Sequence, residues 1–212
     1  MGHNVKNIVI IHLVVFLFML FVFFTPTHFT FLIWNVFLAL LPLDFALIAA
    51  HSKPIFAMTA GILWLLFFPN TMYMITDFIH LQYISTAIDV RYQYFNYSVL
   101  AAGIFIGVTL GVLSLEIIIR RFFDPNKDFL KLLFMMALSL ISALGIYLGR
   151  FLRLNSWDVF TRADFVWQSV QNSLGSHMLT FVVLFAGVQF ALLIVYHYGG
   201  QLLTNLTLDK LD

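Results

Sequence analysis

Four polar side chains recur at helical spacing within residues 69–80 of a largely apolar sequence. They are Asn70, Tyr73, Asp77 and His80, which are separated by three, four and three residues. On a helix this spacing places them on one stripe, and the residues between them are mostly apolar. Such a stripe, here called the polar seam, is predicted to face protein, water or a ligand instead of lipid.

The acid and the imidazole of the polar seam are side chains that bind divalent metals. Asp77 and His80 are three residues apart, so both can ligate one ion, and further ligands could come from Asn70, Asp158 or His177. An ion held there would activate water at the membrane surface. In the alternative interpretation, the carboxylate and the imidazole form ion pairs that only tie the segment down.

A second polar cluster begins where the fifth apolar segment ends. Arg150 and Arg153 are three residues apart, which puts them on one face if the helix continues to them. Two guanidinium groups can clamp a phosphate or carboxylate, such as a lipid headgroup. They can equally neutralise Asp77 and Asp158, because buried carboxylates need a partner. Asn155 follows the arginines and is a further candidate for the same polar site.

A few other polar residues lie inside the apolar segments. Asn35 is early in the second segment, toward the same membrane face as the polar seam, and is predicted to contribute to the site. Glu116 is predicted to pair with Arg120, four residues later on the same helix. His12 and His197 are interpreted as helix-contact or interfacial histidines instead of ligands.

The composition places these side chains in a membrane protein. Of the 212 residues, 62% are hydrophobic and 10% are charged, whereas soluble domains carry about 25% charged residues. Six apolar segments approach the roughly 20 residues that cross a bilayer, at about residues 8–24, 29–50, 54–68, 98–119, 129–149 and 178–198. The predicted fold is all-α: one integral membrane domain, residues 1–212, with about six transmembrane helices and an extra interfacial or re-entrant helix near residues 70–82.

Charge and cysteine content narrow the functions further. The net charge of +1 leaves no dense basic patch, so nucleic acid is not a predicted partner. The chain has no cysteine, which excludes disulfides and thiolate metal sites. Lys and Arg favour the connections that are cytoplasmic if the N-terminus is inside, which predicts both termini in the cytoplasm. The long connections at 69–97 and 150–177 then face outward, where binding sites tend to lie.

Glycines repeat at four-residue steps in two of the segments. Gly103, Gly107 and Gly111 lie in the fourth segment, and Gly145 and Gly149 lie in the fifth. Small residues at this spacing let membrane helices approach closely. Helix packing is therefore predicted at both stripes, since a phosphate-binding loop would need a preceding strand.

Three motifs carry a resemblance to a known family. They are WNVFLALLP at residues 34–42, LFFPNTMYMITDFIH at 66–80 and YLGRFLRLNSWD at 147–158. In this order they resemble a family of small bacterial polytopic membrane proteins catalogued as a domain of unknown function. The resemblance implies a multi-pass protein of the bacterial plasma membrane, and it implies no activity, substrate or catalytic residue.

Three functions are compatible with these residues. The first is a metal-dependent hydrolase or transferase acting on a lipid-linked or envelope substrate, with a divalent metal as its cofactor. The second is a protein that binds or transports a small anion or ion. The third is a membrane assembly or scaffold component whose polar seam is structural. The predicted partners are the lipid bilayer and a lipid headgroup or another anionic small molecule.

Overall fold

Helix is the regular secondary structure of this protein. A computed structural model describes residues 2–84 and 89–208, and within them there is no strand. These residues contain six helices that are long and apolar enough to cross a membrane, which confirms the predicted all-α, multi-pass class. These spans are Val5–Phe24, Phe31–His51, Pro54–Tyr83, Val90–Phe122, Asp128–Leu152 and Ser176–Leu206.

Each span contains one or more helical elements with identifiable ends. The α-helices are α1 (Gly2–Phe24), α2 (Phe31–His51), α3 (Pro54–Phe67), α4 (Pro69–Tyr73), α5 (Val90–Phe122), α6 (Asp128–Leu152), α7 (Asp158–Thr161), α8 (Ala163–Ser173) and α9 (Ser176–Leu208). Asp89 caps α5, since its carboxylate accepts the backbone N–H of Arg91 at 2.8 Å. Helix α6 ends at Leu152, and the following residue, Arg153, is in the left-handed region with φ 55°.

The third span changes its helical type along its length. Helix α3 leads into α4 at Pro69, whose missing N–H is tolerated in a first turn, and α4 leads into a 3₁₀ helix at Met74–Tyr83. Residues 70–82 are therefore helical as predicted, and they continue the third span; an interfacial or re-entrant position of this segment stays a prediction. A 3₁₀ helix has three residues per turn, so Met74, Asp77 and His80 lie directly above one another.

Close helix packing at the glycines is confirmed where the third span meets α5 and α6. A Cβ added to Gly111 of α5 would lie 2.7 Å from the Cβ of Thr71, and one added to Gly145 of α6 would lie 3.1 Å from Pro69. Gly107 likewise faces Met74. Gly149 differs, because its nearest neighbour is a carbonyl of the following loop.

The third span occupies the middle of the bundle. Helix α2 packs on α3 and α5, helix α6 packs on α9, and α4 contacts α2, α5 and α6. Two apolar clusters of buried side chains meet at α4 and the 3₁₀ helix, one around Trp64 and Phe68 and the other around Leu32 and Leu100. Helix α1 lies at the edge and contacts mainly α2.

Six successive crossings place alternate connections on the same membrane face. The start of α2, the end of the 3₁₀ helix, the end of α6 and the start of α9 share one face. Asn35, the polar seam and Arg150 are therefore near that face. Which face is cytoplasmic stays a prediction from the distribution of Lys and Arg.

Candidate functional site

Asp77 is the centre of a buried polar network. Its side chain is 1% exposed, and its Oδ2 accepts the Nδ2 amide of Asn35 at 2.7 Å. A guanidinium nitrogen of Arg150 lies 3.5 Å from Oδ1, and the same nitrogen donates to the phenol oxygen of Tyr73 at 2.9 Å. The network joins α2, α4, the 3₁₀ helix and α6. A buried carboxylate is tolerated when such donors surround it.

Four of the sequence-predicted residues are thus brought together by helices that are distant in the sequence. The Arg150 guanidinium also lies 5.5 Å from the centre of the Tyr73 ring, so it contacts the phenol through both its hydroxyl and its face. Arg150 acts here as the partner of Asp77, which is the neutralising role considered from the sequence. Arg153 is exposed at the C-terminus of α6.

His80 adjoins the network without a hydrogen bond to it. Its Nε2 is 3.8 Å from Oδ1 of Asp77, which is beyond hydrogen-bond distance but within the range of an ion pair. The imidazole ring packs against Phe31 at 4.3 Å and Tyr83 at 5.6 Å between ring centroids. His28 and Phe29 join these three rings in lining a small pocket.

Asn70 connects the third span to the loop after α6. Its amide nitrogen donates to the carbonyl of Phe67 at 2.9 Å and to the hydroxyl of Ser156 at 3.3 Å. Ser156 is a site residue that spacing alone does not reveal, because its partner is 86 residues away in the sequence. The contact positions the 154–157 loop beside the start of α4.

Asp158 and His177 form separate contacts. The Asp158 carboxylate accepts the backbone N–H of Asn155 at 2.7 Å and a guanidinium N–H of Arg162 at 2.8 Å, and these two donors lower the pKa of Asp158 below its usual value. His177 lies 3.4 Å from the phenol oxygen of Tyr147, between α6 and α9. Asp158 and His177 therefore have partners other than Asp77.

The donor arrangement around Asp77 bears on the metal hypothesis. Within residues 2–84 and 89–208, no group of three or more His, Asp or Glu side chains converges in a metal-binding arrangement. An ion between Oδ1 of Asp77 and His80 would have to overcome repulsion from the Arg150 guanidinium, which lies 3.5 Å from that oxygen, while the other carboxylate oxygen already accepts the amide of Asn35. The metal site stays a prediction, and the residues present fit a hydrogen-bonded carboxylate better.

A cleft of about 540 Å³ opens beside the network. Its walls come from α2, α3, α4, α6 and the segment after α6, and most of its lining side chains are apolar. Among the polar lining residues, Asn35 and Tyr73 belong to the Asp77 network, Asn70 is one turn before Tyr73 on α4 and bonds Ser156, and Asn155 precedes Ser156. Trp34 and Trp157 also line the cleft. The described lining includes no Asp, Glu, Lys, Arg or His. The cleft therefore combines an apolar body with a neutral hydrogen-bonding end.

Two hydrogen-bond acceptors of the cleft are available to a ligand. The side-chain nitrogens of Asn35 and Asn70 are used within the protein. Their amide oxygens accept no hydrogen bond from the described residues. A ligand group that donates hydrogen bonds, such as a hydroxyl, would satisfy these oxygens.

Two further polar pairs lie within the spans, away from this cleft. His197 Nδ1 is 2.6 Å from the Glu116 carboxylate. The expected pairing of Glu116 with Arg120 is therefore wrong, because a partner on α9 is closer than the next turn of α5. His12 pairs with Asp44 at 2.9 Å, which makes it the helix-contact histidine expected from the sequence.

Together, the six membrane-length helices and the buried network define a multi-pass helical membrane protein with a polar site near one membrane face. The chain belongs to the DUF1361 family, described as proteins of unknown function, whose model matches residues 34–192. That match contains all three motifs of the sequence resemblance and every residue of the Asp77 network. No curated protein and no solved structure gives a significant match.

Proposed function

We propose that this protein binds an amphiphile in the cleft, with a hydrocarbon chain along the apolar walls and a hydroxyl-bearing headgroup at the polar end. The observation that carries the proposal is the asymmetry of the cleft. Its body is lined by side chains such as Leu66, Leu144 and Leu148, whereas its polar groups cluster beside the Asp77 network. Pockets of a few hundred Å³ with a few placed polar groups are typical of small-molecule sites.

The charges in and around the cleft favour a ligand with a neutral headgroup. Arg150, which contacts the cleft-lining Tyr73, is already engaged by Asp77 and by the phenol of that tyrosine. An anionic headgroup would need a cation that the cleft lining does not provide. The free amide oxygens of Asn35 and Asn70 instead accept hydrogen bonds from a neutral donor. A long-chain alcohol or a polyol lipid has this chemistry.

The buried network has a positioning role in this proposal. Asp77 orients Asn35 by accepting its amide N–H, which turns the amide oxygen away from the carboxylate. Arg150 holds Tyr73, which lines the cleft, through the phenol oxygen. Side chains fixed by such contacts lose less conformational entropy when a ligand binds.

The test uses photo-crosslinking in a matched pair of variants. Ile141 and Leu140 are adjacent on α6 and comparably exposed, at 50% and 43%, but only Ile141 lines the cleft. The probe is a long-chain alcohol with a diazirine near its terminal methyl, added to protein in nanodiscs. Ile141→Trp is expected to abolish crosslinks to α3 and α6 by filling the cleft, and Leu140→Trp is expected to retain them.

Two matched probes test the headgroup. The corresponding carboxylate and the corresponding alkane are expected to label these helices several-fold less than the alcohol does. Stronger labelling by the carboxylate would favour the anion-binding function predicted from Arg150 and Arg153. Equal labelling of Ile141→Trp and Leu140→Trp would show only general contact with lipid, and the cleft would not be a binding site.

The remaining predicted functions stand as predictions. A hydrolase or transferase would require an ion at Asp77 and His80, where Asn35 and Arg150 already contact the carboxylate. A scaffold function would use the network but leave the cleft without a ligand. A location in the bacterial plasma membrane, with both termini cytoplasmic, is the setting that we propose for amphiphile binding.

A further inference from the structure

Helix α8 lies outside the packed bundle, between the spans formed by α6 and α9 in the sequence. It covers Ala163–Ser173, and none of its residues is buried. It is connected through α7 to the end of α6 at Leu152, and through a short link to the start of α9 at Ser176. Because those two ends share a membrane face, α8 is held beside that face.

The residues of α8 form three sectors around its axis, at 3.6 residues per turn. Val166, Ser169 and Val170 are partly covered by the protein. Exposed aromatic side chains flank this sector, with Trp167 (64% exposed) on one side and Phe165 (50% exposed) on the other. The third sector, on the far side, is polar and exposed: Asp164, Gln168 and Asn172.

Apolar exposure continues on both sides of α8. Phe160 before it and Leu174 after it are 66% and 64% exposed. Leu174 lies two residues before α9, and Phe160 lies in α7, which follows α6, so both are expected near the boundary between acyl chains and headgroups. Trp is favoured at that boundary because its ring is apolar and its indole N–H is polar.

We propose that α8 is an interfacial helix that lies in the headgroup layer of the bilayer. The Trp167 sector faces the acyl chains, the Gln168 sector faces water, and the Val166 sector faces the protein. The occupant of the exposed apolar surface is lipid, since the surface is continuous with the membrane-facing spans on both sides. This placement does not depend on the proposed amphiphile binding.

The charge of α8 defines the type of lipid contact. Asp164 is the only charged residue between Ala163 and Ser173, and the helix has no Lys or Arg. Attraction to anionic headgroups therefore contributes little, and insertion of apolar side chains holds the helix in place. The depth and orientation of α8 are expected to be the same in neutral and anionic bilayers.

This surface also adjoins the cleft. Val159, Phe160 and Val166 line the cleft from the side of α7 and α8. The interfacial helix thus covers part of the cleft where it meets the headgroup layer, which is where an amphiphile in the bilayer would carry its headgroup.

The sequence contains no cysteine, so a spin label can be attached at one introduced cysteine without removing others. Trp167→Cys and Gln168→Cys each place one nitroxide on adjacent residues whose side chains are about 100° apart around the helix axis, in liposomes of phosphatidylcholine. The label at 167 is expected to collide preferentially with oxygen, which concentrates in acyl chains, and the label at 168 with a water-soluble nickel chelate. Replacing a third of the lipid with phosphatidylglycerol is expected to leave both accessibilities unchanged.

Two results would overturn the proposal. Equal exposure of both labels to the nickel chelate would place α8 in water, and protection of the label at 167 from both reagents would mean that protein covers it. Because Trp167→Cys removes the inserted side chain, quenching of the native tryptophans by dibrominated lipid provides a second measurement. Trp167→Phe is expected to remove a large part of that quenching, and no change on this substitution would also contradict the proposal.

Discussion

The packing of Thr71 against Gly111 predicts that α5 fixes the position of the third span, and with it the candidate site. Gly111→Ala adds one methyl group to α5 at the point where the third span passes it. The added Cβ would lie 2.7 Å from the Cβ of Thr71, whereas carbon atoms in contact are about 3.5–4.0 Å apart. Gly187→Ala on α9 is the matched control, because no atom lies within 4 Å of the added carbon.

The magnitude follows from three contributions. Relieving an overlap of about 1 Å in a packed region costs roughly 1–3 kcal/mol. Moving Thr71 also weakens the 2.7 Å hydrogen bond from its hydroxyl to the carbonyl of Phe68, which contributes about 0.5–1.5 kcal/mol. Both substitutions gain up to about 1 kcal/mol of helix propensity. Gly111→Ala is therefore expected to be less stable than Gly187→Ala by about 2 kcal/mol or more.

The measurement is the free energy of unfolding in bicelles, obtained by steric trapping of each variant. Crosslinking of the long-chain alcohol should fall in Gly111→Ala, because Thr71 immediately follows Asn70 and displacement of α4 would move the polar end of the cleft. It should be unchanged in Gly187→Ala. Equal stability of the two variants would refute the inference that α5 fixes the position of the third span through this contact.

Three further predictions concern the charged residues. Arg150→Ala should lower the free energy of unfolding by about 3–5 kcal/mol, because it leaves a buried carboxylate unpaired, and adding Asp77→Asn should recover much of that loss in the same assay. The pKa of Asp158 is lowered on folding, so this carboxylate stabilises the 154–161 segment at pH values above its unfolded pKa. The stabilisation is lost as the pH falls through the lower folded pKa. Hydrogen exchange of the Asn155 amide should show this loss, and Asp158→Asn should abolish the pH dependence. Elemental analysis of protein purified without chelator should give the same metal content for the wild type, Asp77→Ala and His80→Ala, whereas a near-stoichiometric metal lost in both variants would establish the metal site.

The sequence predicts the parts of the fold and site that depend on local periodicity. Apolar segments of sufficient length identify the six spans, and the steps between polar residues identify the seam segment. Counting crossings then places Asn35 and Arg150 on the same face as Asp77, and the structure brings these three side chains together. A shared membrane face was enough to predict this contact because all three residues lie close to helix ends at that face.

Partners that depend on how helices are arranged around the bundle could not be predicted in this way. His177 is near the correct face, but its contact is with Tyr147 on the side where α6 meets α9. Glu116 has a suitable cation one turn away, yet its carboxylate meets His197 on α9. Spacing along one helix determines which residues share a face, but not which neighbour that face meets.

The conformation of residues 74–83 explains how one helix serves both the core and the site. In an α-helix, a step of three residues rotates a side chain by 300°, whereas in a 3₁₀ helix it completes a full turn. Asp77 therefore stays directly in line with Met74, which is fully buried against Gly107. An α-helical turn would rotate the carboxylate about 60° away from the position where it accepts the amide of Asn35. A 3₁₀ helix of ten residues is uncommonly long. Two sets of contacts constrain this one: the packing against the glycines of α5, and the contacts of Asp77 with Asn35 on α2 and Arg150 on α6.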